Sequence, residues 1–406
     1  MTRLNPLGAV RAPTQAPGTI PSPVPGLTVL SSGEAAFQTM TGELDRCRAR
    51  AEITVFIWHD DDTGNQLAEH ALAAAERGVS LHIEKDRIGA IYEHIDPNKH
   101  SFFNKRLTLG ERARVEALSW AYRRGPTRRQ EPNALAERLA SHPQVALRHG
   151  ARRHDHSKVF IFDDERLLMG GVNVGDHFRH EWLDFMVRLD GARYVERYRA
   201  RRAGRGGPIQ GPVDFLVNTT PPGQARQFNV FRQRLAALEA ARESVHIEMA
   251  YFGDGRILDA LVRCVARGVE VTLVTAARAN IVHDLNHRFI DQLRRRTGAP
   301  PHLHISLHPR MVHTKLMVFD RQVAQLGSSN FTTLSHAVYD EADLWLQCPE
   351  TASALADAVA QHAAEGARVT GPVAYRRWAA AVEWVLQRPN PVSLGAPPER
   401  AAGARG

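Results

Sequence analysis

Two stretches of this 406-residue sequence repeat the same polar residue types at the same spacing. In each, a histidine is followed two residues later by a lysine, five after that by an aspartate and ten after that by an asparagine. The two sets are His156, Lys158, Asp163 and Asn173, and His313, Lys315, Asp320 and Asn330. Because packing alone gives a duplicated scaffold no reason to keep these types at fixed offsets, we interpret both sets as chemical.

A histidine and a lysine two residues apart indicate chemistry on a phosphate ester. Side chains alternate along a β-strand, so His156 and Lys158 are predicted to project to the same side of the strand HSKVFIFD. A neutral imidazole can attack phosphorus, and a nearby ammonium group neutralises the charge that grows on the non-bridging oxygens. Amides and hydroxyls add hydrogen bonds to the same oxygens. The predicted phosphate-binding residues are Lys158, Asn173, Lys315, Ser328 and Asn330, with Gly171 standing where the second copy has Ser328.

A carboxylate follows each asparagine after eleven residues, at Asp184 and Glu341. A nucleophilic imidazole needs an acceptor on its second nitrogen, which fixes the tautomer and stabilises the cation that forms. We therefore expect Asp184 and Glu341 to orient the histidines. If the two copies meet at a pseudo-twofold axis, one histidine attacks and the other serves as acid and base. No metal or other cofactor is required, since two lysines supply the positive field.

The full predicted catalytic set is His156, Lys158, Asp163, His313, Lys315 and Asp320. Within it, Asp163 and Asp320 differ from the others because each stands where its strand ends. For these two, a structural role in capping the following turn is favoured over proton transfer.

The scaffold that carries these residues is also duplicated. The segment AEITVFIWHDDDTGNQLAEHALAAAERGVSLHIEKD has a counterpart in ESVHIEMAYFGDGRILDALVRCVARGVEVTLVTAA, and each predicts a strand, a helix and a strand. Each helix ends at an Arg-Gly-Val, where glycine suits a left-handed cap. The first copy has a longer passage, from 86 to 153, that we interpret as an insertion. The fold class is therefore α/β, with two pseudo-symmetric lobes, mixed central sheets and an active site between the lobes.

Composition sets the expected boundaries. The Pro-, Gly- and Ala-rich start and end predict poorly ordered tails, and the run YVERYRARRAGRGGPIQGP predicts a basic connector between the lobes. The expected division is a disordered leader over 1–28, a first lobe over 29–205, a second lobe over 206–370, and a C-terminal helix with a disordered tail over 371–406.

Charge and cysteine content narrow the class of partner. Lysine and arginine outnumber aspartate and glutamate by 52 to 44, and the pI near 9.7 favours anionic partners such as phospholipid surfaces or nucleic acid. The three cysteines lie far apart and suggest neither a disulfide framework nor a zinc site. No stretch has the apolar length of a secretory signal or a membrane span, so a cytosolic protein with at most peripheral membrane contact is expected.

At these residues the sequence resembles the phospholipase D superfamily, whose HxKxxxxD signature, followed by GG or GS and an asparagine, is matched in both copies. The resemblance covers roughly residues 30 to 349. Within the superfamily, the strings WLDFMVRLDG and GSSNFTTLSHAVYDEADL are most similar to bacterial cardiolipin synthases and related phosphatidyltransferases. The resemblance implies a phosphohistidine intermediate, with His156 as the attacking residue and His313 as the acid and base. It also implies an anionic phospholipid substrate and a peripheral position on the bacterial inner membrane.

Other functions remain open at this stage. The same residues can serve a nuclease, for which the basic connector Arg197 to Arg205 would neutralise phosphates. A lipid-binding protein without turnover is disfavoured by two intact signatures. The stretch GPVAYRRWAAAVEWVLQ predicts a helix that either lies at a membrane interface or, as we favour, packs on the core. The sequence does not indicate an oligomeric state.

Overall fold

The computed structural model describes residues 18–86, 88–89, 92–93, 100–103, 109–121, 132–150 and 154–387. The strands of the first lobe are β1 (Thr19–Pro21), β2 (Leu27–Leu30), β3 (Arg50–Val55), β4 (Ser80–Asp86), β5 (Val145–Gly150), β6 (Val159–Phe162), β7 (Arg166–Gly170) and β8 (Met186–Asp190). Its helices are α1 (Gly33–Arg46), α2 (Asp62–Glu76), α3 (Leu109–Ala121), α4 (Ala134–Ser141), α5 (Asp176–His180) and α6 (Ala192–Arg202).

The second lobe repeats this order. Its strands are β9 (Val213–Thr219), β10 (Gln227–Phe228), β11 (Ser244–Met249), β12 (Glu270–Ala276), β13 (Leu303–His308), β14 (Lys315–Phe319), β15 (Val323–Gly327), β16 (Glu341–Gln347) and β17 (Ala367–Arg368). Its helices are α7 (Asn229–Ala240), α8 (Gly255–Ala266), α9 (His283–Thr297), α10 (Thr333–Ala337), α11 (Pro349–Glu365) and α12 (Arg377–Leu386).

The two sheets have the same strand order. The first runs β1-β2-β8-β7-β6-β3-β4-β5 and the second β10-β9-β16-β15-β14-β11-β12-β13-β17, so they match strand for strand from β2 to β5 and from β9 to β13. In both, the three strands of the βαβ portion are parallel and the others antiparallel. The predicted class of two pseudo-symmetric α/β lobes with mixed sheets is confirmed.

Local chemistry explains the duplicated strand-helix-strand units. Asp61 caps α2 by accepting the N–H of Gly64, and Asp254 caps α8 by accepting the N–H of Arg256. Both helices end at the predicted glycines, each in the left-handed region. Gly78 has φ +94° and Gly268 has φ +83°.

A shared core joins the lobes. In β6, Val159 and Ile161 face the second lobe, whereas Phe160 and Phe162 pack on the helices of their own lobe. This is the alternation predicted for the strand. Buried residues of β7, β8, β14, β15 and β16 complete the core between the sheets, namely Leu167, Met169, Val187, Leu316, Val318, Ala324, Leu326 and Leu344. The edge of this joint core is where the signature histidines lie.

The first sheet begins earlier than expected. β1 lies within the segment predicted to be a disordered leader and pairs antiparallel with β2, with Ile20 opposite Val29. Proline is tolerated in an edge strand, so a Pro-rich composition does not exclude a strand here. The expectation of disorder is wrong for residues 18–28, and residues 1–17 lie outside the described residues.

The predicted insertion is shorter than 86–153. β5 pairs in parallel with β4, as β13 does with β12, so β5 belongs to the common scaffold. The helix before it, α4, takes the place of α9. The extra length therefore lies between β4 and α4 and includes α3.

The C-terminal helix α12 packs against α9. Arg376, which precedes it, pairs with Asp284, and Glu383 accepts the N–H of Leu285 at 2.7 Å. Residues 388–406, expected to form a tail, lie outside the described residues. None of the helices that the structure describes has the length and apolar character needed to cross a membrane.

Candidate active site

A short cross-lobe bridge positions the first histidine. Asp155 pairs in parallel with Asp340 of the second lobe, and the N–H of His156 donates to the carbonyl of Asp340 at 2.8 Å. The next residue, Glu341, then faces the imidazole, with its Oε2 3.1 Å from Nδ1 of His156. The carboxylate that orients His156 thus comes from the opposite lobe.

An equivalent bridge positions the second histidine. Val312 pairs in parallel with Leu183 of the first lobe, and the N–H of His313 donates to the carbonyl of Leu183 at 2.8 Å. Oδ2 of Asp184 lies 2.6 Å from Nδ1 of His313. The sequence identified both carboxylates as partners of the histidines, and the structure shows that each pair crosses between the lobes.

The four residues of the two His-Lys pairs form one buried cluster. His156 and His313 are 7% and 4% exposed, and Lys158 and Lys315 are more fully buried. Lys158 donates to the carbonyl of His156, and Lys315 donates to that of His313. The charges of Lys158 and His156 both act on His313, so the signatures share one site.

Burial holds both imidazoles in the neutral form. Burial lowers the pKa of His156, and Lys158 lowers it further against the opposing effect of Glu341. Burial, Lys315 and Lys158 hold the pKa of His313 well below its usual range. A neutral imidazole is the form that attacks phosphorus.

The two carboxylates differ. Burial alone would raise the pKa of Glu341, but its contacts with His156 and Ser328 lower it to about 2. Burial raises the pKa of Asp184 to about 7, against the opposing effect of Lys315. Glu341 is therefore ionised at neutral pH, whereas Asp184 is partly protonated there.

Burial also affects the lysines. Burial and the charge of Lys315 lower the pKa of Lys158 to about 7, and burial lowers that of Lys315 to about 8. The nearby carboxylates Asp184 and Glu341 oppose this effect only in part, so the two buried ammonium groups still lack a fully compensating anion. A bound phosphate would supply it and raise both pKa values.

The two asparagines of the signatures are buried, at 3% and 4% exposed. Oδ1 of Asn173 accepts the N–H of Ile57, whereas its Nδ2 is buried and, within the described part of the chain, has no hydrogen-bond partner. The side-chain oxygen of Asn330 is likewise buried with no partner among the described residues. Because buried polar atoms are normally hydrogen-bonded, these amides indicate a polar ligand.

Ser328 has a different role from the one predicted. Its hydroxyl donates to Oε2 of Glu341 and accepts the N–H of Ala342 at 3.0 Å, so it supports a carboxylate rather than facing a phosphate. At the equivalent Gly171, a Cβ would lie 2.1 Å from Oδ1 of Asp184. The shorter carboxylate fills the space that the serine side chain occupies in the other lobe.

Asp163 and Asp320 lie away from the site. Asp163 accepts N–H groups from residues 48–50, and Asp320 accepts them from residues 242–244. Each follows its lysine by five residues of extended chain, or about 16 Å. These contacts support the structural role favoured from the sequence, because each aspartate closes the turn that leads into the first parallel strand of its lobe, β3 or β11.

A set of charged residues next to His156 was not predicted from the sequence. The buried Asp155 and Asp340 lie side by side, and Arg202 pairs with Asp155 while Arg226 pairs with Asp340 at 2.9 Å. These pairs fix the bridge that carries His156. The available signal was the aspartate immediately before His156 and the one immediately before Glu341.

The basic connector is occupied by internal contacts. Arg199 pairs with Glu52 and Asp164, and Arg201 pairs with the buried Asp214. With Arg202 on Asp155, three arginines of the predicted phosphate-binding run have partners within the protein. The expectation that this run binds nucleic acid loses its main support.

Aromatic side chains that were not predicted from the sequence surround the histidines. Phe56 lies with its ring 4.6 Å from that of His156, and Tyr339 stacks on the same imidazole at 5.6 Å. Trp182 and Tyr251 lie 5.3 and 6.2 Å from His313. They complete the burial that keeps the imidazoles neutral.

Comparison with known proteins agrees with this geometry. Residues 235–363 match the family model described as cardiolipin synthase, PLD-like domain. Together with the two signatures and the duplicated fold, this match supports the assignment to the phospholipase D superfamily. The predicted assignment is confirmed.

Within the superfamily the chain is similar to cardiolipin synthases. It is 25% identical over 330 residues to cardiolipin synthase A of Pseudomonas fluorescens, covering 76% of this chain and 62% of that protein. It is 24% identical over 342 residues to cardiolipin synthase B of Escherichia coli, covering 78% of this chain and 75% of that protein. The chain thus spans less than two thirds of the length of the first of these relatives.

A solved structure shares the fold. The crystal structure of phosphatidylserine synthase from Haemophilus influenzae superposes with a TM-score of 0.63 at 11% identity, covering 91% of this chain and 96% of that one. At this identity the match supports the fold alone. It includes both lobes.

Proposed function

We propose that this protein transfers or hydrolyses the phosphatidyl group of an anionic phospholipid through a phosphohistidine intermediate. The observation that carries the proposal is the pair of buried histidines, each held through Nδ1 by a carboxylate of the opposite lobe. That contact directs Nε2 of each ring away from its carboxylate. Two such imidazoles beside two lysines suit displacement at one phosphodiester.

In the first step, Nε2 of His156 attacks phosphorus and a P–N bond forms. The bond from phosphorus to the leaving alcohol breaks, and its oxygen takes a proton from Nε2 of His313 while Nδ1 of the same ring takes the proton of Asp184. In the second step, His313 removes a proton from an incoming alcohol or water, whose oxygen attacks phosphorus. The P–N bond breaks, and His156 returns to the neutral form.

The unequal carboxylates support this assignment of roles. An attacking imidazole becomes cationic as it binds phosphorus, and the ionised Glu341 beside His156 stabilises that charge. Proton transfer needs a pKa near the working pH, which the His313–Asp184 pair provides through the raised pKa of Asp184.

Lysines and amides bind the phosphate in this mechanism. Lys158 and Lys315 neutralise charge on the non-bridging oxygens as the pentacoordinate state forms. Nδ2 of Asn173 donates to one of them, which would satisfy a buried group that lacks a partner among the described residues. Rotation of the Asn330 amide provides the matching donor.

The choice of lipid over nucleic acid has two supports. The curated relatives described above are cardiolipin synthases, which are named for a phospholipid product. The arginine run that would have served a nucleic acid is largely engaged in internal ion pairs. We accordingly place the protein at the surface of the bacterial inner membrane, on the cytoplasmic side.

The test separates lipid from nucleic acid directly. Purified protein is incubated with phosphatidylglycerol vesicles and, separately, with supercoiled plasmid DNA, and the products are resolved by mass spectrometry and gel electrophoresis. We expect a new phospholipid or phosphatidic acid, and intact plasmid. His156→Ala serves as the control and should give neither lipid product. Nicked plasmid with unchanged lipid would overturn the proposal in favour of a nuclease.

A further inference from the structure

Helix α12 exposes apolar side chains to solvent. Among the described residues, six large hydrophobic side chains are exposed, and five of them lie on this one helix. Trp378 is 52% exposed and Val385 60% exposed. The others are Val382, Trp384 and Leu386. A surface helix normally turns such residues inward, so this face requires an explanation.

The helix is attached through its small and polar residues instead. Ala379, Ala380 and Glu383 are buried on its inner side. Glu383 accepts the N–H of Leu285, and Arg376 at the start of the helix pairs with Asp284. Because this attachment is specific, the outward apolar face is a fixed feature of the fold.

The same attachment places α12 next to the candidate active site. Leu285, held by Glu383, packs in a small cluster with Tyr251 and Val282. The Tyr251 ring lies 6.2 Å from that of His313. Leu285 and Tyr251 thus connect α12 to His313 on the side of the second lobe.

Positive charge surrounds this face. Arg278, Arg376 and Arg377 are exposed, and the charges of Arg278 and Arg376 both act on His283. The nearest carboxylates, Asp284 and Glu383, are buried on the inner side. The exposed face thus combines the apolar side chains of Trp378, Val382 and Val385 with a basic rim.

We propose that α12 docks the protein onto a bilayer that contains anionic phospholipid. The apolar face enters the headgroup region, Trp378 lies at the interface, and Arg278 and Arg377 contact phosphates. The proposal rests on the proposed function, since docking would bring a lipid headgroup to the histidines. It does not require turnover to be tested.

The size of the face favours a bilayer over a second copy of the chain. A ten-residue helix is about 15 Å long and about 10 Å wide. A stable protein dimer buries about 800 Å² on each partner, which is several times the footprint of such a helix. A bilayer needs no matching surface, because apolar side chains dissolve in it individually.

The experiment measures vesicle binding by flotation. The full chain is mixed with phosphatidylglycerol vesicles or phosphatidylcholine vesicles, and a V382E/V385E variant is compared with it. Both positions are exposed and glutamate favours helix, so the attachment through Glu383 should persist, as thermal unfolding will check. The matched controls are V382L/V385L, which keeps the face apolar, and Leu109→Glu, which alters the exposed apolar residue outside α12.

We expect the wild type and both controls to float with phosphatidylglycerol vesicles and less with phosphatidylcholine vesicles. V382E/V385E should lose about tenfold or more in vesicle affinity. Equal binding by that variant would overturn the proposal. So would a dimer, detected by light scattering, that the variant dissociates while vesicle binding is unchanged.

A soluble substrate separates this proposal from the proposed function. Dihexanoyl phosphatidylglycerol below its micellar concentration reaches the site without a bilayer, so V382E/V385E should turn it over at the wild-type rate. If the wild type binds vesicles through α12 but does not convert this lipid, the proposed function fails and the docking stands. A loss of short-chain turnover in the variant would contradict a docking role.

Discussion

Nδ1 of His313, in the second lobe, lies 2.6 Å from Oδ2 of Asp184, in the first lobe. Glu341 of the second lobe holds His156 of the first in the same way, at 3.1 Å. Each lobe therefore provides a histidine that only the other lobe can orient. The duplicated fold forms a complete site only where the two sheets meet.

Because each carboxylate fixes the tautomer of a histidine, we expect its replacement by the matching amide to lower kcat strongly. Asp184→Asn keeps the shape but presents an amide to His313, so kcat should fall about 10³-fold or more. Glu341→Gln should have a similar effect through His156. Steady-state kinetics and thermal unfolding will check both. A kcat within tenfold of wild type in either variant would contradict the assigned roles.

The paired positions Gly171 and Ser328 should respond differently to alanine. A Cβ at Gly171 would lie 2.1 Å from Oδ1 of Asp184, so Gly171→Ala should displace that carboxylate and lower kcat about 100-fold. Ser328→Ala removes one hydrogen bond to Glu341 and should lower kcat about tenfold. If Ser328→Ala lowered kcat more than Gly171→Ala, with both variants equally stable, crowding at Asp184 would be unimportant.

Asp163 and Asp320 should prove to be stability residues. Asp163→Ala removes the acceptor for the N–H groups of residues 48–50, at a cost of about 1–2 kcal/mol in the free energy of unfolding. kcat under conditions where the protein is folded should stay near wild type. Asp320→Ala is the matched variant in the other lobe. A large fall in kcat without a change in unfolding would restore these aspartates to the catalytic set.

The lowered pKa values of the two lysines predict that kcat/KM falls as the pH rises above neutral. In the free enzyme the pKa of Lys158 is about 7 and that of Lys315 about 8. As pH rises through these values the ammonium charges are lost and an anionic diester binds less well. kcat should change less, because a bound phosphate raises both pKa values.

The control for this pH profile is Lys158→Arg. Arginine stays protonated throughout, so the variant, although slower, should lose the part of the alkaline fall that Lys158 causes. A wild-type kcat/KM that is constant up to pH 10 would show that the lysines are charged without a ligand.

Periodicity and repetition were sufficient to predict the duplicated lobes. The Arg-Gly-Val helix ends and the signature offsets are local patterns, and the structure places Gly78, Gly268 and both His-Lys pairs as expected. The cross-lobe pairing was not predictable, because nothing in one chain segment specifies whether Asp184 faces His156 or His313. That depends on how two sheets pack, which is a property of the joint core.

Predictions from amino-acid composition failed where contacts with distant parts of the chain determine the local structure. β1 is a short Pro-containing strand that exists only because β2 offers a free edge. The arginines of the connector resemble a phosphate-binding patch in sequence, but Glu52, Asp155 and Asp214 lie within their reach in the fold. Ser328 is one further case, since the chain alone could not show that its hydroxyl meets Glu341.

The central claim is that His156 carries the phosphatidyl group while His313 moves protons. The most direct test uses His313→Ala and phosphatidyl-p-nitrophenol, whose leaving group departs without protonation. The adduct should then form and persist, because no base activates water. After rapid denaturation at alkaline pH, mass spectrometry should locate the phosphatidyl group on the peptide that contains His156, and H156A/H313A should show none. An adduct on another residue, or none in His313→Ala despite release of p-nitrophenol, would contradict the account.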